Sequence, residues 1–228
     1  AGGAGGDGGD GDGATAADGG QEVAIKVFKT TLSEFKNRAD YIKGDHRFAG
    51  LNLSKQNPRK IIAIWAEKEL KNLSRLHRVG IPCPRPLLLR RHVLLMTFVG
   101  ADGVAAPQLR EARLSAAQLK RAYRQVVRIM HAMYHECSLV HADLSGYNLL
   151  WHRGRVVVID VAQAVTTTHP SSEAFLHVDA RNVTDFFGKR GVAVAPADAL
   201  VDLVRDAGIS SGYSRDAAAA AVAAPAGG

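Results

Sequence analysis

The sequence predicts an α+β fold of two lobes flanking a cleft, and three observations predict it. Residues 22–29 alternate, with Val23, Ile25 and Val27 on one face and Ala24, Lys26 and Phe28 on the other, which is the period of a strand. Two long stretches, about 57–79 and 115–137, repeat their apolar residues at helical spacing behind a capping residue. Two short apolar runs, NLLW and VVVIDV, follow the second helix and are joined through a turn containing Gly154. With 228 residues, 46% of them hydrophobic, the chain has room for one domain or for two small lobes with a proper core.

Residues 1–20 are Gly-, Ala- and Asp-rich, with too few large apolar groups to offset the entropy of ordering them, and are expected to be disordered. A formal G-x-G-x-x-G at Gly3–Gly8 is expected to be composition, since no strand is expected to lead into it and Asp7, Asp10 and Asp12 would repel phosphate. The strand at 22–29 opens a first unit, 21–100. Residues 30–56 show no sustained period and read as an exposed loop. Between Lys29 and Lys60 eight basic residues face three acidic ones, so this segment carries most of the formal charge of +7. That favours a polyanionic partner such as RNA, although a plain solvated loop accounts for the same residues.

Asn57 and Pro58 suit the N-cap and first position of a helix that Gly80 and the prolines at 82, 84 and 86 stop. Ile62, Trp65, Leu73 and Leu76 form its buried stripe. Glu69 falls on that stripe, whereas Glu67 is turned about 160° away at ~100° per residue. An inward carboxylate needs a cation. Residues 92–99 read as a buried strand ending in the turn at 100–103. In the second unit, 101–210, Ser115 caps a helix with Leu119, Val126, Met130 and Met133 as its stripe, and 171–187 and 197–206 read as short helices. The Ala-rich tail, 211–228, is expected to be disordered.

In HADLSGYNLLW, His141, Asp143 and Asn148 form H-x-D-x-x-x-x-N, and Asp160 follows Asp143 by 17 residues. The set resembles a protein-kinase catalytic loop and the metal-binding aspartate after it. Phosphoryl transfer asks for these types: an acceptor near the incoming hydroxyl, oxygen ligands for magnesium and a cation on the nucleotide phosphates. Asp143, Asn148, Asp160 and Lys26 supply them. Each has a plainer reading. Lys26 could hold its head in water at a sheet edge; Glu69 could snorkel, with Glu67 as substitute partner; Asp143 and Asn148 could cap a turn. His141 is expected to be structural, bonding the loop backbone.

Longer runs narrow the resemblance. VAIKVFKT, FKNRADYIKGDHRF, the stretch from NPRK to MTFVG, LVHADLSGYNLLW, IDVAQAV and DARNVTDFFGKRGVAV resemble the RIO family of atypical kinases, most of all its Rio-one branch, over about residues 17–209. The resemblance implies a two-lobed kinase-like fold with a reduced, mostly helical C-lobe. It implies ATP and Mg2+ as cofactors, serine autophosphorylation or ATPase turnover, and a role in maturation of the small ribosomal subunit. Partners would be the pre-40S particle, its rRNA and assembly proteins, with a protein serine or the chain itself as acceptor. It makes Asp143 the catalytic acceptor, Asn148 and Asp160 the metal ligands, Lys26 with Glu69 the phosphate-orienting pair, and the backbone at Thr97 and Val99 the adenine contact. Asp160 could also take the phosphoryl group as an aspartyl-phosphate.

The chain departs from that pattern in three places. The family's Ser-, Gly- and Lys-containing phosphate loop, on two strands ahead of the lysine, has no counterpart, so the N-lobe sheet is expected to be truncated. Gly146 stands where Glu is usual, and Ala162 and Ala164 where serines are common. The truncated sheet leaves an alternative to an enzyme: a catalytically inactive kinase-fold module for ribosome assembly or RNA binding. Only Cys83 and Cys137 occur, without metal-ligand spacing, and no run of 18 apolar residues exists. A cytoplasmic or nuclear protein with no membrane partner is expected.

Overall fold

The structure, a computed structural model, describes residues 21–29 and 57–214; the expectations for 1–20, for 30–56 and for 215–228 lie outside the described residues. Alternation places β1 (Val23–Val27) as foreseen. It pairs antiparallel with β3 (Val93–Thr97), Lys26 opposite Leu94, and β3 pairs with β2 (Pro86–Arg90), giving the order β1-β3-β2. β2 was not foreseen, because the Pro82–Pro86 series masks the short strand after it. One sheet face packs on α1 (Pro58–Arg78); the other turns out Val23, Ile25, Val27 and Leu88, all exposed. The buried strand expected at 92–99 is therefore corrected to an alternating one. Leu94 and Met96 are buried while Val93, Leu95 and Thr97 are half-covered, since among the described residues only one side of this sheet meets the core.

The Asn57 side chain caps α1 by accepting from the Arg59 amide at 2.9 Å, and Gly80, at φ 79°, takes the left-handed conformation just past its end. Ile62, Trp65, Leu73 and Leu76 are buried as the stripe requires. A small hairpin, β4 (Gly100–Ala101) with β5 (Val104–Ala105), links the units. α2 (Ala116–His135) starts with a full capping box: Ser115 Oγ accepts from the Gln118 amide at 3.3 Å, and Gln118 Oε1 from the Ser115 amide at 2.9 Å. Val126, Met130 and Met133 are buried, whereas Leu119, one turn from the end, is half-covered.

Two antiparallel pairs frame the loops that follow. β6 (Leu139–Val140) pairs with β9 (Val165–Thr166), and β7 (Leu149–His152) with β8 (Arg155–Val158). α3 (Ser172–Gly188) and α4 (Ala197–Arg205) pack on each other and on α2. One buried cluster runs without a break from Phe28 and Leu94 through Leu73 and Leu76 to Ile129, Val158, Phe187 and Leu200. The tail expected from 211 is corrected at its start: Ser211 is buried and Tyr213 packs against this cluster, because an aromatic ring finds apolar cover there. Among the described residues no helix is long and apolar enough to cross a membrane.

Candidate active site

Three elements converge on one ammonium. β1 carries Lys26 on its inner face, the α1 stripe carries Glu69, and Asp160 follows β8. Lys26 Nζ lies 2.7 Å from Glu69 Oε2, 2.9 Å from Glu69 Oε1 and 2.9 Å from Asp160 Oδ1. The plainer readings of these residues therefore fail. The Lys26 head is held by carboxylates and not left in water, and Glu67 is bound instead to Lys71, one turn on, at 2.7 Å. Glu69 is 1% exposed while Asp160 is 46% exposed, so the ion pair is dry at one end and open at the other.

One cation between two carboxylates leaves an excess negative charge, and burial decides where it is felt. Desolvation pushes Glu69 up to about 7; Lys26 opposes this and Asp160 adds to it. Burial alone would pull Lys26 down, but attraction to Glu69 and Asp160 outweighs it and holds the ammonium above its usual value. The two shifts express one arrangement: Lys26 stays charged, and the strain rests on the buried carboxylate.

Asp143 and Asn148 meet five residues apart. Asn148 Nδ2 donates to the Asp143 main-chain carbonyl at 2.8 Å and to Asp143 Oδ2 at 3.0 Å, fixing the carboxylate's rotamer. Burial raises the Asp143 carboxyl, the Asn148 bond counters it, and nearby Asp160 adds to the rise. The loop is held from below by a residue that the sequence reading did not single out. Asp179, on α3 and 1% exposed, accepts from the Ala142 amide through Oδ2 and from the Leu144 amide through Oδ1, both at 2.8 Å. Its carboxyl is pushed up to about 7 by burial, against those two bonds. Ala142 and Asp160 both sit at positive φ, 66° and 54°, so the backbone on each side of the site is held in a conformation that non-glycine residues seldom adopt.

His141 is buried, as a structural histidine requires. Burial pushes its imidazole down to about 4, against the charge of Asp160 and the pull of the backbone at Ile159 and at His141 itself, although neither ring nitrogen reaches full hydrogen-bond geometry. It is a neutral packing residue at ordinary pH.

Beside the ion pair lies a cavity of about 310 Å³, lined by the apolar side chains of Ala24, Met96, Leu150 and Ile159, by Thr97–Val99 and by the charged trio Lys26, Glu69 and Asp160. Other hollows are larger, about 720 Å³ near Phe28 and His92 and about 560 Å³ near Tyr147. The smaller one is the candidate ligand site, because the paired charges converge there and an apolar slot with a few polar groups suits a small ligand. Thr97 and Val99 both line it, with the Thr97 amide bound to the Arg85 carbonyl and the Val99 carbonyl to the Ala106 amide, each at 2.9 Å.

A family model described as RIO domain matches residues 13–200. The chain belongs to the RIO family. Among curated relatives, human serine/threonine-protein kinase RIO3 is 58% identical over 174 residues, which is 76% of this chain and 33% of that protein. Serine/threonine-protein kinase rio1 of Dictyostelium discoideum is 46% identical over 186 residues, 82% of this chain and 32% of that protein. Human serine/threonine-protein kinase RIO1 is 45% identical over 191 residues, 84% and 34%. The chain thus spans about a third of the length of these relatives. Both RIO1 and RIO3 match, so membership holds for the family and does not single out the Rio-one branch. Among solved structures, the Rio2 kinase from Chaetomium thermophilum aligns with a TM-score of 0.59 at 19% identity, covering 90% of this chain and 62% of that one. The Rio2 kinase–ADP/Mg2+–phosphoaspartate complex from the same organism aligns at 0.52 and 23% identity, covering 70% and 49%. These likenesses show the two-lobed, kinase-like α+β fold that the sequence predicts.

Proposed function

We propose that this chain is a RIO-type serine/threonine protein kinase or ATPase that uses Mg-ATP. One observation carries the reading: Lys26 stands within 2.9 Å of both Glu69 and Asp160 in the lining of an apolar cavity, with Asp143 and Asn148 bonded to each other on the loop alongside. Kinase names among relatives up to 58% identical support it.

The residues fit the cofactors. Asn148 and the half-exposed Asp160 carboxylate are hard oxygen donors, and magnesium needs only one or two such side chains when phosphates and water complete its shell. Bound there, the ion would neutralise charge on the phosphates. The apolar walls would take a planar base, and the Thr97 carbonyl and Val99 amide, neither used in the two bonds named above, would read its edge. Lys26 would hold phosphate oxygens, with Glu69 keeping it aimed. Asp143 would accept the proton of the incoming serine hydroxyl; that oxygen bonds to the terminal phosphorus while the bridging bond to ADP breaks. A carboxyl already raised by burial takes this proton more readily. With water as acceptor the same groups hydrolyse ATP. Asp160, exposed at the rim, is the candidate for an aspartyl-phosphate.

From the family resemblance we also propose action on pre-40S particles, through rRNA or assembly proteins, in the cytoplasm or nucleus. A second reading, an inactive module that binds RNA, draws on Lys29, Arg59, Lys60, Arg91 and His92 around the 720 Å³ hollow. Transfer of labelled γ-phosphate separates the two. The expected result is Mg-dependent labelling or ATP turnover that Asp143→Asn lowers by roughly 10²–10⁴-fold. No turnover in either protein, with salt-sensitive retardation of small-subunit rRNA in a gel, would replace the enzyme by the module.

A further inference from the structure

Beyond Asp143 the catalytic loop borders a second, open hollow of about 560 Å³, between Ser145–Tyr147, Arg110 and the C-terminal end of α3. The phosphotransfer chemistry above makes no use of it. Two arginines there are already fixed in place. The Arg110 guanidinium lies 4.0 Å from the centre of the Tyr147 ring, and that of Arg190 lies 3.8 Å from the centre of the Phe186 ring. Arg190 also donates through Nη1 to the Phe186 carbonyl at 3.1 Å and through Nη2 to the Arg110 carbonyl at 3.3 Å, tying the two arginine segments together. Exposed Lys189 adds a third cation. Two carboxylates line the same hollow, and one of them, Glu111, is already occupied by Arg110 Nε at 3.3 Å.

Gly146 shapes this arrangement. A Cβ there would stand 2.5 Å from Phe186 Cε2, so only glycine lets the ring press against the catalytic loop. Phe186 is then engaged by loop backbone, by the Arg190 guanidinium and by the edge of Phe187 at 5.0 Å. A platform for single-stranded RNA needs open ring faces for its bases. Here the rings hold arginines instead, and a pre-set guanidinium fork suits a carboxylate or phosphate group.

We infer that this hollow docks acidic residues of the polypeptide segment that presents its serine to Asp143. The inference rests on the phosphotransfer reading for the position of that serine. Residues 145–147 lie between Asp143 and Asn148 in the loop, so a segment with its hydroxyl at Asp143 runs past them. Two to four residues of extended chain cover about 7–14 Å, enough for a flanking Asp, Glu or phosphoserine to enter the hollow.

Fluorescence anisotropy with labelled peptides tests this without ATP. The probes are a serine-to-alanine peptide flanked by Asp and Glu, its Lys-flanked counterpart and a single-stranded oligouridine. The expected result is at least ten-fold tighter binding of the acidic peptide than of the basic one, weakening as salt rises. The Arg110→Ala/Lys189→Glu variant changes two exposed side chains; it is expected to keep its melting temperature and lose that preference. In transfer assays it raises KM for an acidic serine peptide more than it lowers kcat. Equal binding of both peptides, an unchanged preference in the variant, or oligouridine binding that displaces the acidic peptide and is lost in the variant would overturn the inference. Acidic-peptide binding with no phosphate transfer to any peptide would leave the docking site standing and remove the phosphotransfer reading.

Discussion

The two halves of the site are built to different standards. The loop of Asp143 sits on a buried frame, with both oxygens of Asp179 bonded to backbone amides on either side of Asp143, beneath a continuous core. Among the described residues, the sheet that carries Lys26 is covered on one face only. Among its described strands β1 is an edge, and Ile25, one residue from Lys26, is 66% exposed. Lys26 is aimed less by its own strand than by the two carboxylates that grip it. The loop's geometry is thus a property of the fold, whereas the lysine's depends on charges that a ligand would redistribute.

The comparison breaks first at Asp179. Asp179→Ala leaves two buried amides without an acceptor, an expected cost of about 2–5 kcal/mol in urea unfolding. Asp179→Asn, which keeps one acceptor oxygen, should cost less. If the alanine variant unfolds like the parent, the loop is not held from α3. Next, Leu94→Ala on the covered face of the sheet should cost about 2–4 kcal/mol by opening a cavity.

Glu69→Gln sharpens the electrostatic half. The folded protein raises this carboxyl from 4.5 to about 7, so it binds a proton more tightly folded than unfolded. The resulting stabilisation is full below about 4.5 and is lost as pH rises through about 7. Relative to Glu69→Gln, the parent should lose on the order of 3 kcal/mol across that window, read from unfolding curves at several pH values. Parallel curves for the two proteins would mean that Glu69 is not buried with an excess charge. The smallest effect belongs to the open face: Ile25→Thr should change stability by no more than about 0.5 kcal/mol. A loss of 2 kcal/mol there would show that the face is covered in solution.

Much of this was legible in advance, for identifiable reasons. Helix starts are written in one or two residues: Asn57 with Pro58, and Ser115, both cap where the sequence places them, and the structure adds Gln118 as the other half of the Ser115 box. Glu69 could be found because a carboxylate on an apolar stripe must meet a cation. The same reasoning applies to Asp179, which lies on the stripe of Leu176, Ala180, Val183 and Phe187, although its partners are amides of a loop 35 and 37 residues away and no local pattern announces them. β6 and β9 are two residues each, too short for any period to register. The stacking of Arg110 and Arg190 on their rings joins segments distant in sequence, and only folding brings them together.

The central claim is that Lys26, held between Glu69 and Asp160, receives nucleotide phosphates. Calorimetric titration of Mg-ATP into the parent and into Lys26→Met tests it most directly. The account predicts saturable, magnesium-dependent heat in the parent and at least ten-fold weaker binding in a variant of unchanged melting temperature. Equal affinity in the two proteins would contradict it.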